Sequence, residues 1–222
     1  MGTAVESSAV AKAESEISGD DGQIVVLQPH VVENAGHVLG NMFQRIYHLV
    51  ERTHAGDVAM AVDLDSSIRR LEAFLQLLMD YVAPLSLSVQ EVLSSDVVQS
   101  MAQQVDNAVG QPVTIEGEGP ADGRLLVDAG RLARAFGLLR LRLRRQPGCE
   151  EAIRIKIARR TDVASLALTI VIPGGCVLES SSESEIQWAV AEKLLEIHGG
   201  MLEQSPTASG GVLWEIMLPL QS

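Results

Sequence analysis

Two apolar stripes of heptad spacing restrict what this chain can fold into more than any other feature. Val32, Ala35, Leu39, Met42, Ile46 and Leu49 follow one another at intervals of 3, 4, 3, 4 and 3 residues. Ala61, Leu64, Ile68, Leu71, Leu75, Leu78 and Val82 repeat the same alternation. An α-helix turns once in about 3.6 residues, so each set lies along one face of a helix. Thr53-His54-Ala55-Gly56-Asp57 between them reads as a turn, and Pro84 stops the second helix. Two helices of about 25 residues joined by so short a turn predict an antiparallel hairpin. One hairpin cannot cover both of its own seams. Either a second copy covers them as a four-helix bundle, or the rest of the chain folds back over them. The homodimeric bundle is the simpler solution and is the expectation.

After Pro84 the pattern changes. Residues 88–109 read as a helix with Val89, Val92, Leu93, Val97, Met101 and Val105 on one face. Pro112 to Glu116 and Arg124 to Asp128 read as strands, and Asp128 or Gly130 can cap a helix that runs to about Arg145. Gln146-Pro147-Gly148-Cys149 breaks it. Ala152 to Ile157 alternates and Ser165 to Ile172 is an apolar run, which gives two more strands. The chain closes with an amphipathic helix over Ala189 to His198, a strand from Met201 to Ser205, a Gly210-Gly211 turn and a last strand to Leu220. Helices on one face of a mixed sheet predict an α/β two-layer sandwich over residues 85–222, after a hairpin at 28–84. Residues 1–27 form an acidic tail. The first 22 hold five acids against Lys12, show no periodicity and cannot bury enough apolar surface to order themselves.

Composition narrows the function. A net charge of −12 argues against nucleic acid, whose phosphates would be repelled, and 3% aromatics leave no stacking platform for single strands. No apolar run approaches the ~20 residues of a membrane helix, and no signal peptide is evident, so a cytoplasmic protein off the membrane is expected. Cys149 and Cys176 lack metal-ligand spacing and read as ordinary thiols.

Two stretches resemble a known family. His198-Gly199-Gly200, then a strand, the Gly210-Gly211 turn and a strand ending Leu218-Pro219-Leu220, resembles the C-terminal signature of the GHKL ATPases. His37-Val38-Leu39-Gly40-Asn41 resembles the phosphoacceptor box of sensor histidine kinases, where the histidine is followed by an acid, a leucine and, at the fourth position, an asparagine. His37, Leu39 and Asn41 match; Val38 stands in place of the acid. The resemblance covers about residues 28–222. It implies a fold of class α + α/β, a hairpin forming a dimeric four-helix bundle followed by a degenerate GHKL-type sandwich.

The ATP-binding boxes depart from that pattern. The asparagine that would hold Mg²⁺ falls on Arg142 or within a residue or two of it, and a guanidinium repels the metal by several kcal/mol at ~4 Å and an effective dielectric constant of about 20. Pro173-Gly174-Gly175 lacks the adenine-binding aspartate, Cys176 to Ser184 is short for an ATP lid, and Glu185-Ile186-Gln187-Trp188 occupies the place of a phosphate-approaching glycine segment. The resemblance thus implies a protein that binds no cofactor and no ATP. It resembles the histidine phosphotransferases of alphaproteobacterial cell-cycle relays and of sporulation relays. Their partners are response-regulator receiver domains, which bring Mg²⁺ and most of the charge stabilisation, and a histidine kinase is a further candidate partner.

With Val32 as heptad position a, His37 falls at f and Asn41 at c, away from the seam. A neutral imidazole there is a competent nucleophile, and Asn41 can orient it. The bland reading of such a histidine is a solvated polar residue; the matching box is what lifts His37 above it. His30, one heptad earlier, is the competing acceptor. His48 and His54 read as inert, and His198 as packed at a helix end. Gln44 and Arg45 on the same helix, with Arg140 and Arg142 from a basic run at 131–160, are the candidate docking residues for a receiver. Two other readings remain: a catalytically inactive pseudokinase that binds a kinase or response regulator, and a regulator of GHKL descent resembling an anti-sigma factor or phosphatase.

Overall fold

The computed structural model describes residues 28–54, 59–82, 87–109, 113–117, 123–145, 152–160 and 164–221. The expected tail, the residues of the hairpin turn after His54 and the Pro84 and Gln146–Cys149 breaks lie outside them.

The two stripes form helices α1 (Pro29–His54) and α2 (Ala59–Val82), packed along each other. The α/β part follows as β1 (Gln90–Leu93), α3 (Ser94–Val109), β2 (Thr114–Glu116), β3 (Arg124–Val127), α4 (Ala129–Leu141), β4 (Leu143–Arg145), β5 (Arg154–Arg160), β6 (Ser165–Ile172), β7 (Cys176–Leu178), α5 (Ser182–Glu196), β8 (Met201–Pro206) and β9 (Val212–Pro219). The main sheet runs β2-β5-β6-β9-β8, with β2 parallel to β5 and the other pairs antiparallel. Alternation places Leu166, Leu168, Ile170 and Ile172 of β6 beside Trp214, Ile216 and Leu218 of β9 on one face. That face joins Leu132, Ala135, Phe136 and Leu139 of α4 and Ile186, Val190, Leu194 and Leu195 of α5 in one core. The two-layer sandwich expected from the sequence is present.

Four local expectations need correction. Residues 90–93 are strand β1, not the start of a helix: they pair with β3 from Gln90↔Val127 to Leu93↔Arg124, and the helix begins at Ser94. α4 stops at Leu141 instead of Arg145, because Arg142 to Arg145 turn away to pair β4 with β7. The span read as a shortened lid therefore contains a strand. α5 begins seven residues before Ala189, since the Ser181 hydroxyl accepts the Ser184 N–H as an N-cap and Glu183 and Glu185 sit favourably in the first turns.

The hairpin seam is covered in part by the second of the two means considered, the rest of the chain folding back over it. α5 packs on α1 and α2, and Val31, Ala35 and Met42 of α1 with Phe74, Leu77 and Tyr81 of α2 belong to the common core. An adjoining stripe stays open: Val32, Phe43 and Tyr47 of α1, the last 70% exposed, and Ile68, Leu75, Met79 and Val82 of α2. Among the described residues no helix is long and apolar enough to cross a membrane.

Candidate functional site

α1 sets the geometry of the candidate site through its helical phase. Residues four apart are offset by about 40° and rise about 6 Å, so His37 and Asn41 lie one above the other. His37 is well exposed, at 69% of its side chain, and its Nε2 stands 3.9 Å from Glu33 Oε1 one turn earlier. The structure brings Asn41, Arg45 and Gln44 to the same flank, all exposed. Val38 instead packs partly against the core, so an acid in its place would be drawn out of water.

Beside this flank runs a cleft of about 580 Å³ between the hairpin and the start of α5. Val38, Asn41, Met42 and Arg45 line it from α1, Ser66, Ser67 and Arg70 from α2, and the N-cap Ser181 with Ser182 and Glu183 of α5 from the other side. Arg70 and Glu183 form an ion pair across it. Sequence reasoning missed the contributions of α2 and α5, because no local pattern marks them and only tertiary packing brings them together.

The remaining histidines differ in their surroundings. His30 is exposed in the first turn of α1, near Glu192 of α5; burial and Glu196 raise the Glu192 carboxyl while His30 lowers it. His48 and His54 are exposed. His198 is buried with both ring nitrogens engaged: Nε2 accepts the Asp128 N–H at 3.1 Å and Nδ1 faces the Leu194 carbonyl at 2.6 Å. Gly199 follows at φ +71°, which suits a helix-ending glycine.

Of the basic run, Arg140 is half-buried at the end of α4. Arg142 does not face a partner. Its guanidinium is 6% exposed, pairs with Glu185 at 3.0 Å and lies 4.9 Å over the Trp188 ring, which in turn packs against Trp214. Burial lowers the Arg142 pKa and Glu185 opposes that shift. Three residues from the segments aligned with the expected metal- and phosphate-binding boxes, Arg142, Glu185 and Trp188, thus engage one another. Arg134 and Arg131 are also committed, to Asp80 and Asp128. Arg154 and Lys156 lie exposed on β5 beside Glu116. Among the described residues no group of three His, Cys, Asp or Glu could hold a metal ion.

No protein-family model matches this sequence, and no curated protein matches it. Solved structures do. The histidine kinase AdeS of Acinetobacter baumannii superposes with a TM-score of 0.60 at 13% identity, over 84% of this chain and 98% of that one. Histidine kinase ThkA, solved in complex with response regulator protein TrrA, gives 0.57 at 14% identity over 87% of this chain and 62% of that one. Full-length ShkA in complex with AMPPNP gives 0.53 at 13% identity, over 74% of this chain and 38% of that one. The fold is histidine-kinase-like.

Asp128 ties the start of α4 to the residues before β1 and to the end of α5 in this histidine-kinase-like fold. Its carboxylate caps α4 by accepting the Arg131 N–H at 3.0 Å, and also accepts the Ser88 N–H at 3.0 Å. These backbone bonds, Arg131 first, hold its pKa below the ordinary 3.8, with burial opposing. A depressed native pKa stabilises the fold above the unfolded value and ceases to do so as pH falls through the native one. Stability is therefore expected to decline on acidification below about pH 4. Asp128→Ala should cost about 1 kcal/mol at neutral pH and flatten that acid limb. Chemical denaturation at a series of pH values measures both.

Proposed function

We propose that this chain is a histidine phosphotransferase of two-component signalling, and that His37 carries the phosphoryl group. The observation that supports it best is an exposed imidazole beside Asn41, on a helix flank turned away from the open apolar stripe, in a histidine-kinase-like fold in which Arg142, Glu185 and Trp188, from the segments of the expected ATP-binding boxes, engage one another. The lone pair of a ring nitrogen attacks the phosphorus of a receiver's aspartyl phosphate. The bond from phosphorus to the carboxylate oxygen breaks, the carboxylate leaves with the electron pair, and the reverse transfer returns the group. Glu33 is placed to balance the positive charge gained by the ring. Asn41 orients the ring or a phosphoryl oxygen. The receiver supplies the Mg²⁺, and this chain binds neither metal nor ATP.

Incubation with a phosphorylated receiver domain tests the proposal. Acid-labile label is expected on the wild type and not on His37→Ala, and γ-labelled ATP should label neither. Label that persists in the variant moves the acceptor to His30. No label on either chain favours the second reading, a binding module without chemistry, which Val38 in place of the acid supports.

The open stripe further supports a homodimer, in which a second hairpin covers Ile68, Leu75 and Met79 and completes a four-helix bundle. Leu75→Glu with Met79→Glu should place charges in that interface, and sedimentation equilibrium should then give half the wild-type mass with the α/β part still folded.

A further inference from the structure

The first turn of α1 is fixed by the residue before it. The Gln28 carbonyl accepts the N–H groups of Val31 and Val32 at 3.0 and 3.3 Å, so Gln28 is the N-cap and Pro29 the first helical residue. The Gln28 N–H is held in turn by the Tyr81 hydroxyl at 3.2 Å. That bond sets the start of α1 beside the end of α2. The two valines of the first turn then part: Val31 enters the core, whereas Val32 stays 50% exposed. Val82, the last residue of α2, is 46% exposed. Two aliphatic side chains thus stand open at the end of the hairpin where the chain enters it.

The residues that lead into Gln28 are Ile24-Val25-Val26-Leu27, an aliphatic run that follows the acidic first 22 and Gln23. A proline disfavours helical backbone in the residue before it, so the chain reaches Gln28 extended and changes direction there. Counted from the N-cap, Leu27 is N′ and Val32 is N4, the two positions that pack together in a hydrophobic staple. Four extended residues span about 13 Å. The axes of packed helices lie about 8–10 Å apart, so a run that begins at Val32 also reaches Val82.

We propose that residues 24–27 fold back over this end of the hairpin, with Leu27 against Val32 and the residues before it across Val82. Attachment selects this occupant. An aliphatic run tethered at Gln28 meets the patch at a far higher effective concentration than a separate chain does. The site continues the open stripe and leaves Ile68, Leu75 and Met79 to a second hairpin. It also sets where the acidic residues 1–22 depart, at the end of the hairpin remote from its turn. The inference is independent of phosphotransfer at His37.

Nuclear Overhauser contacts between isoleucine, leucine and valine methyl groups of the full chain test it. Cross-peaks are expected from Leu27 to Val32 and from Ile24 or Val25 to Val82. They should persist when labelled chain is diluted with an excess of unlabelled chain, which removes contacts between copies, and after deletion of residues 2–22. A double-mutant cycle reads the same contact by stability. Leu27→Ala should lower the urea midpoint of the unsubstituted chain, yet change it little in the Val32→Ala background, where the contact is already lost. Val10→Ala should change nothing in either. Absence of cross-peaks from residues 24–27 to Val32 and Val82 overturns the inference. So do cross-peaks that vanish on dilution, which give the patch to a second copy, and losses that simply add in the cycle.

Discussion

Trp214→Ala should lower the unfolding free energy by about 3–5 kcal/mol, the largest single-residue loss expected in this chain. The indole is fully buried at the centre of the main sheet, opposite Ile170 on β6 and Gln204 on β8. It fills the space between sheet and helices, with its centroid 5.7 Å from that of Trp188 and the two planes tilted by 59°. Its Nε1–H donates to Gln204 Oε1 at 3.1 Å. Truncation removes this contact and leaves a cavity that strands on both sides prevent from collapsing. The effect should also spread to Arg142, because Trp188 would lose the ring that supports it from behind. Urea denaturation followed by circular dichroism measures the loss; a cost under 1 kcal/mol would show that the site repacks around the gap.

Gly211→Ala should reach the upper end of the roughly 1–3 kcal/mol that overpacking costs. A methyl group there would stand 2.2 Å from the Ile172 carbonyl oxygen and 3.1 Å from the Gly174 nitrogen, both backbone atoms. Neither can swing aside as a side chain does. The start of β9 would have to move away from the end of β6, and with it the turn in which Gly211 N–H donates to the Thr207 hydroxyl. Gly210→Ala is a useful contrast: nothing lies within 4 Å, yet φ is +80°, so its cost is backbone strain alone. The two variants separate crowding from strain by thermal unfolding.

Much of this fold was legible in the sequence because its signals are periodic. The hairpin, β5, β6, α4 with its Asp128 cap and the closing strands all carry enough residues for a period of 3.6 or 2 to emerge. β4 and β7 have three residues each, too few for any alternation, and depend on pairing with one another across more than 30 positions of sequence. β1 was hidden by Val89, Val92 and Leu93, which fit a helical face as well as a strand. The candidate site divides along the same line. His37 and Asn41 could be placed on one flank from heptad phase, a local property of one helix. Arg142 looked like a docking residue within a basic run, and only the meeting of α4, β7 and α5 shows that it turns inward. Ser66, Ser67 and Arg70, the cleft wall on α2, carry no sequence mark.

The burial of His198 has a practical consequence. With Nε2 accepting from the Asp128 amide, the ring proton must sit on Nδ1, directed at the Leu194 carbonyl. A proton so enclosed exchanges with solvent only when the join between α4 and α5 comes apart. Its resonance should stand apart from those of the four histidines on α1, and so gives spectroscopists a built-in thermometer for that join, readable without labels while receivers, salt or substitutions are varied elsewhere.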